Sequence, residues 1–289
     1  MNHLINQPIR VAAKKRFSGR FIHLIIASIL LTTLCACASV PHTGRRQFNM
    51  ISDRQLNSLG AKAFSEVVDK EPESQDKRLK AIVSRVAERV GKAAESMDKP
   101  NFDWEVRLVE NDTPNAFCLP GGKIVVYTGM LKYAKNEAGL AAIVAHEVAH
   151  AVARHGGERL SQKLALHGAL AVGEEALKNK DGSVSGTGRL VLGALGIGGT
   201  VGVLLPYSRI HELEADQIGQ MYMAKAGYDP AESVRVWDRL SRIKKPPIPV
   251  WLSTHPADAE RVRKLRESLP DAEKIYQETP RKYGLGSLL

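Results

Sequence analysis

The stretch AAIVAHEVAHAVARH, Ala141–His155, decides the fold. Ala141, Ala142, Ile143, Val144, Ala145, Val148, Ala149 and Val152 make it apolar nearly all round, which predicts a helix buried in the protein interior. His146 and His150 are four residues apart, so they project from one face about one turn apart and can converge on one ion. Glu147 follows His146 and can face the open position of that ion, where a base takes a proton from water. Burying two imidazoles and a carboxylate in such a helix is expensive unless something pairs with them. The alternative is a pair of satisfied core histidines. The HExxH pattern arises by chance in on the order of one in a hundred chains of this length, so it needs a third ligand.

His155 is the nearest candidate and does not qualify. Five residues beyond His150, it points away from the ion on a continuous helix. The extended motif with a third histidine needs glycine at position 153 and histidine at 156, where the chain has Ala153 and Gly156. SRIHELEAD, Ser208–Asp216, serves better. Glu212 and Asp216 share a face of an expected helix, so one carboxylate can bind an ion while the other supports the site one turn on. A solvated acidic face is the alternative for these residues taken alone.

Outward from these two segments the pattern is mainly helical. Ser52 to Gln55 resembles a capping box and opens a helix to about Lys70, closed by Pro72. Leu79, Ile82, Val83, Val86 and Val90 mark a second helix over about 76–95. WEVRLVE (Trp104–Glu110) and KIVVYT (Lys123–Thr128) read as strands, and NDTPNAFCLPGG between them as a turn region. Further helices are expected at about 158–179, 210–226, 230–243 and 256–268. Asp181–Gly188 reads as a polar loop, and the Gly-rich apolar run Leu190–Leu205 as a flexible, partly buried segment or lid, with a transmembrane helix as the alternative. No repeat and no second domain is visible. The expected organisation is a signal peptide over 1–36, a lipidated N-terminus and tether over 37–51, a catalytic domain over 52–270 and a tail over 271–289.

The formal net charge of +10 on 289 residues is concentrated at the N-terminus. Residues 1–36 hold five basic side chains and no acidic one, and the remainder carries only +5. No basic stripe interleaves with aromatics, which argues against nucleic-acid binding. The early charge precedes FIHLIIASILLTTL, Phe21–Leu34, whose length suits a signal-peptide core. LCAC, Leu34–Cys37, then resembles the lipobox of bacterial lipoproteins, with Cys37 as the lipidated residue. Plain secretion is the alternative. Ala38 after that cysteine resembles lipoproteins sorted to the outer membrane of Gram-negative bacteria. Cys118 is then alone in an oxidising compartment and reads as a small buried apolar residue.

Together, HEVAHAVARH and SRIHELEAD resemble the zinc peptidases of family M forty-eight, which include HtpX-like and CAAX-prenyl endopeptidases. NAFCLPGG (Asn115–Gly122) resembles the family's strand-turn before the active-site helix, with Cys118 where alanine is usual, and TGRRQF (Thr43–Phe48) and STHP (Ser253–Pro256) resemble the lipoprotein-type members. The resemblance implies an α+β, mainly helical, zincin-like (gluzincin) fold with an active-site helix under a small β-sheet. It implies one zinc ion per chain on His146, His150 and Glu212, with Glu147 as general base. It implies that Asp216 orients a ligand histidine or donates a proton. His255 is expected to stabilise the oxyanion or to reach the zinc and block it, and a capping surface histidine is the alternative. Strand Lys123–Thr128 is expected to offer an edge for an extended peptide.

The leading expectation is a lipid-anchored endopeptidase on the periplasmic face of the outer membrane. Its partners would be misfolded or unfolded polypeptides, the membrane through its lipid, and envelope assembly proteins. The competing readings are a tethered chaperone or assembly factor that uses the same groove, and a zinc exopeptidase. The latter would need a group to hold a chain terminus, and none is identified.

Overall fold

The computed structural model describes residues 37–165, 208–243, 250–286 and 288–289. A short ribbon of β1 (Cys37–Ser39) and β2 (Arg46–Phe48) leads to helix α1 (Asp53–Lys70). Ser52 caps α1 and exchanges hydrogen bonds with Gln55, the box expected from the sequence. Asp76 caps α2 (Lys77–Asp98). Strands β3 (Glu105–Val109), β4 (Ala116–Leu119) and β5 (Lys123–Tyr127) follow, then helices α3 (Thr128–Ala134) and α4 (Glu137–Val152). Residues 155–165 form a helix, α5. After the second described segment begins come α6 (Arg209–Lys225) and α7 (Ala231–Ser241), and then α8 (Val250–Thr254) and α9 (Ala259–Glu278). The expected polar loop, the Gly-rich run and the signal peptide lie outside the described residues, as does the expected helix beyond residue 165.

The sheet order is β3-β5-β4, with β3 parallel and β4 antiparallel to β5. The region read from its local pattern as a turn contains β4, the strand that the family resemblance implies there, and one expectation is corrected: Lys123–Tyr127 is the central strand rather than an edge. The reason is burial on both faces. Phe117, Leu119, Val125 and Tyr127 pack with Ala63, Phe64 and Val67 of α1. Cys118, Ile124 and Val126 pack on the other side, in the large core built around α2 and α4. A strand covered on both faces shows no polar alternation, and a four-residue run between prolines looks like a turn. Gly121 and Gly122 make the reversal at φ +85° and +80°, a region that L side chains rarely adopt.

Helix α4 is the centre of the core. All of its residues, from Glu137 to Val152, are buried. It contacts α2, α3, α6, α7 and β4. Asn136 caps it, accepting from the Gly139 amide at 2.7 Å, and Arg85 and Arg89 of α2 hold Glu137 in its first turn. Within the stretch read as a tether, Val40 and Gln47 are buried, at 1% and 2% exposure, while His42, Gly44, Arg46 and Met50 are exposed. The C-terminal helix, expected at about 256–268, runs as α9 through Pro270 to Glu278. Pro270 and Arg266, whose carbonyl loses its amide partner, are both exposed, so water can satisfy that group.

Candidate metal centre

On α4, His146 and His150 turn to one face, and their Nε2 atoms approach to 3.1 Å. Ser208 caps α6 by accepting from the His211 amide, and α6 packs along α4. This brings Glu212 to 3.4 Å from each Nε2, one carboxylate oxygen to each ring. His255, one residue past α8, places Nδ1 3.2 Å from His146 Nε2 and 3.1 Å from Glu212 Oε1. One donor atom from each of His146, His150, Glu212 and His255 therefore falls within a span of 4.8 Å. Three imidazoles and a carboxylate facing one point in an apolar interior are costly unless they share a cation. Nitrogen and oxygen donors at this spacing fit a transition metal.

The surrounding groups hold these donors. Asp216 Oδ1 lies 3.0 Å from His146 Nδ1, so a ring that directs its Nδ1 proton there presents an Nε2 lone pair to the site. Arg261 of α9 donates through Nε and Nη2 to the two Asp216 oxygens at 2.8 and 2.7 Å, and its Nη1 lies 2.7 Å from Glu212 Oε2. Its guanidinium sits 3.6 Å above the Trp237 ring. Trp251 of α8 donates from Nε1 to Glu147 Oε1 at 2.7 Å and stacks between Trp237 and His255.

Charge balance follows from these contacts. Burial pushes the Glu147 carboxyl up, which favours a proton acceptor over a strong acid. Burial also works against the Glu212 carboxylate, but Arg261 and His255 beside it hold it well below the usual range. Burial pushes His150 well down. For His146, Asp216 and Glu212 outweigh burial and hold the ring at about 9. A metal cation held by these donors would displace the His146 proton and take over its charge-balancing role.

The residues singled out in the sequence, His146, Glu147, His150, Glu212, Asp216 and His255, are brought together. Their exposures run from 1% to 4%, so the capping surface histidine at 255 is excluded. His155 is not among the converging donors, but the reason given for it changes. The helix is not continuous: Arg154 adopts φ 59°, breaking α4 from α5 and turning His155 inward. Its Nδ1 lies 2.8 Å from His150 Nδ1, and burial pushes the ring down to about 4. Arg261 and Trp251 escaped the sequence reading. They are distant in the chain, and no local pattern announces a buried arginine. Cys118 is buried as expected, and burial pushes its thiol well up.

Comparison with known proteins adds an independent line. The model of Peptidase family M48 matches residues 73–269. "Mitochondrial metalloendopeptidase OMA1" of Schizosaccharomyces pombe is 35% identical over 83% of this chain and 68% of its own length. "Metalloendopeptidase OMA1, mitochondrial" of Danio rerio is 35% identical over 86% of the chain and 53% of its own length. "Beta-barrel assembly-enhancing protease" of Escherichia coli is 26% identical over 79% of the chain and 46% of its own length. The chain thus spans about half the length of the last two.

Proposed function

The chain belongs to peptidase family M48 and is a metallopeptidase; from that premise we propose that it is a zinc-dependent endopeptidase acting on misfolded or unassembled polypeptides of the bacterial envelope. The observation that carries this reading is the convergence of His146, His150 and Glu212 around one point, with Glu147 alongside. His146, His150 and Glu212 would hold the ion. Zinc bound there would supply Lewis acidity, polarising the scissile carbonyl and acidifying the attacking water. Glu147 takes the proton from that water and passes it to the leaving nitrogen. Asp216 orients His146, and its two bonds from Arg261 leave it poorly placed to donate a proton.

His255 and Trp251 close the site in this conformation. His255 Nδ1 lies 3.2 Å from His146 Nε2 and 3.1 Å from Glu212 Oε1, where it would compete with water or substrate for a bound ion, and its Nε2 is 3.6 Å from Glu147 Oε1. We read this as a latent state that opens when α8 moves. Among the described residues both outer strands, β3 and β4, pair with β5 on one side only, but residues 72–74 bond along the outer side of β3, so β4 is the freer edge to which an extended peptide would add. Latency also favours a second reading, in which the protein binds unassembled outer-membrane proteins and cleaves them only when released from this state.

The envelope location rests on the lipobox-like LCAC at Leu34–Cys37 and on bacterial relatives named for β-barrel assembly. The OMA1 relatives are named mitochondrial. Among the described residues no helix is long and apolar enough to cross a membrane. Cys37 as a lipid anchor remains part of this proposal.

The test is cleavage of an unfolded model protein and of a peptide blocked at both ends, with metal analysis, for the parent and Glu147→Gln. One zinc per chain in both, with internal cleavage by the parent alone, is expected. General-base loss should cost about 10²–10⁴-fold. Zinc in both without cleavage by either would favour the binding role. Absence of zinc from both would return the histidines to the core.

A further inference from the structure

A second buried polar cluster lies on the far side of His150, and the reading above leaves it unused. It comprises His155, Glu158, His211 and Glu214, with 0% to 6% exposure. Arg45 joins them from the stretch between β1 and β2. Its Nε donates to both Glu214 oxygens at 2.9 Å, and Nη1 and Nη2 donate to the two Glu158 oxygens at 3.0 and 2.7 Å. Thr43 Oγ1 donates to Glu214 Oε1 at 2.8 Å. Glu214 Oε2 lies 3.1 Å from His155 Nε2. His211 stacks on His155 with centroids 4.4 Å apart and holds Glu158 through Nε2 at 2.9 Å.

We propose that His155 is a positioning residue for the metal centre: backed by Glu214 and Arg45, it fixes the tautomer of His150 that exposes Nε2 to the ion. The inference rests on the metallopeptidase reading above. Two ring nitrogens 2.8 Å apart share one proton. If His150 donates it, His150 Nε2 keeps its lone pair for metal, and His155 carries its own proton on Nε2, directed at Glu214. If His155 donates it instead, the bare His155 Nε2 faces a carboxylate, and His150 turns an N–H toward His146 Nε2. Arg45 decides between the two. Its paired bonds keep Glu214 an ionised, acceptor-only group, so the first arrangement gives both His155 nitrogens a matching partner, whereas the second sets a lone pair of His155 against the Glu214 carboxylate. The stacked His211 ring restrains His155 from rotating out of this line. A residue read from the sequence as part of a tether thus supports a metal ligand through two intervening side chains.

The first test uses the zinc-free, full-length parent. Imidazole nitrogen NMR should show His150 protonated on Nδ1 and His155 on Nε2. The opposite pair of tautomers overturns the inference without any variant. The second test is the zinc dissociation constant by chelator competition. His155→Phe keeps the ring volume and should weaken zinc binding about 10–100-fold. His155→Asn returns an amide oxygen near the Nδ1 position and should recover most of that loss, which a purely packing role would not allow. Arg45→Gln should weaken zinc in the same direction. A folded His155→Phe with parental affinity overturns the inference, as does an Asn variant no better than Phe. A parent that binds no zinc overturns the metal reading itself, whereas parental zinc with indifferent variants overturns this inference alone.

Discussion

Trp251 Nε1 donates to Glu147 Oε1 at 2.7 Å, so the carboxylate that would serve as base is tied to the short helix that delivers His255. Closure and catalysis therefore draw on the same side chains. His255→Ala should retain zinc on its other three donors and raise turnover of an unfolded protein. The gain is about tenfold if the open state of the parent is populated roughly one time in ten. Trp251→Phe keeps an aromatic ring against Trp237 but removes the bond to Glu147, and should give a smaller gain. Steady-state cleavage with zinc quantified in each sample checks this, and unchanged turnover for His255→Ala would remove the latent state from the account.

Gly219 marks where α6 crosses α4. A Cβ built there would meet His146 N at 2.9 Å and the Ala145 carbonyl at 3.0 Å, both backbone groups that cannot swing aside. Gly219→Ala should push apart the helices that carry Glu212 and His146. Overpacking of this kind costs about 1–3 kcal/mol, read from urea unfolding. Zinc affinity should fall with it, and a variant with parental stability would show that the crossing has slack.

Glu158 makes stability fall in acid. Burial raises its pKa, but the hydrogen bonds from His211 and Arg45 outweigh burial and hold it at about 2, below its ordinary 4.5. The folded state therefore binds fewer protons there than the unfolded chain does. Its contribution is present above about 4.5 and is lost as pH falls toward 2. Glu158→Gln should flatten the pH dependence of the unfolding free energy in that window. An unchanged slope would assign acid sensitivity to other carboxylates.

Arg261 is fully enclosed and neutralises both Asp216 and Glu212. Arg261→Met leaves two buried carboxylates short of a cation, and loss of one partner of a buried pair costs about 3–5 kcal/mol. Bound zinc supplies positive charge to the same carboxylates, so the loss should be smaller in the zinc-loaded protein than with chelator present. Equal losses in the two states, measured by denaturant unfolding, would separate the arginine from the metal site.

Sequence alone determined the elements whose chemistry is local. The apolar run around His146 and His150 could only be a buried helix, and the four-residue spacing put both rings on one face. Ser52 with Gln55 announced a helix start because that box is closed within one turn. Glu212 and Asp216 paired by the same spacing. Tertiary structure decided whatever depends on residues far apart in the chain. β4 became a strand only because α1 and α4 cover its two faces, and its pairing made β5 central. The break at Arg154, which has no glycine to signal it, turned His155 back onto His150. Arg45, Arg261 and Trp251 acquired their roles from partners more than forty positions away. Periodicity reports the surroundings of a residue along its own helix or strand. The partner of a buried charge is set by how those elements pack, and that information is spread over the whole chain.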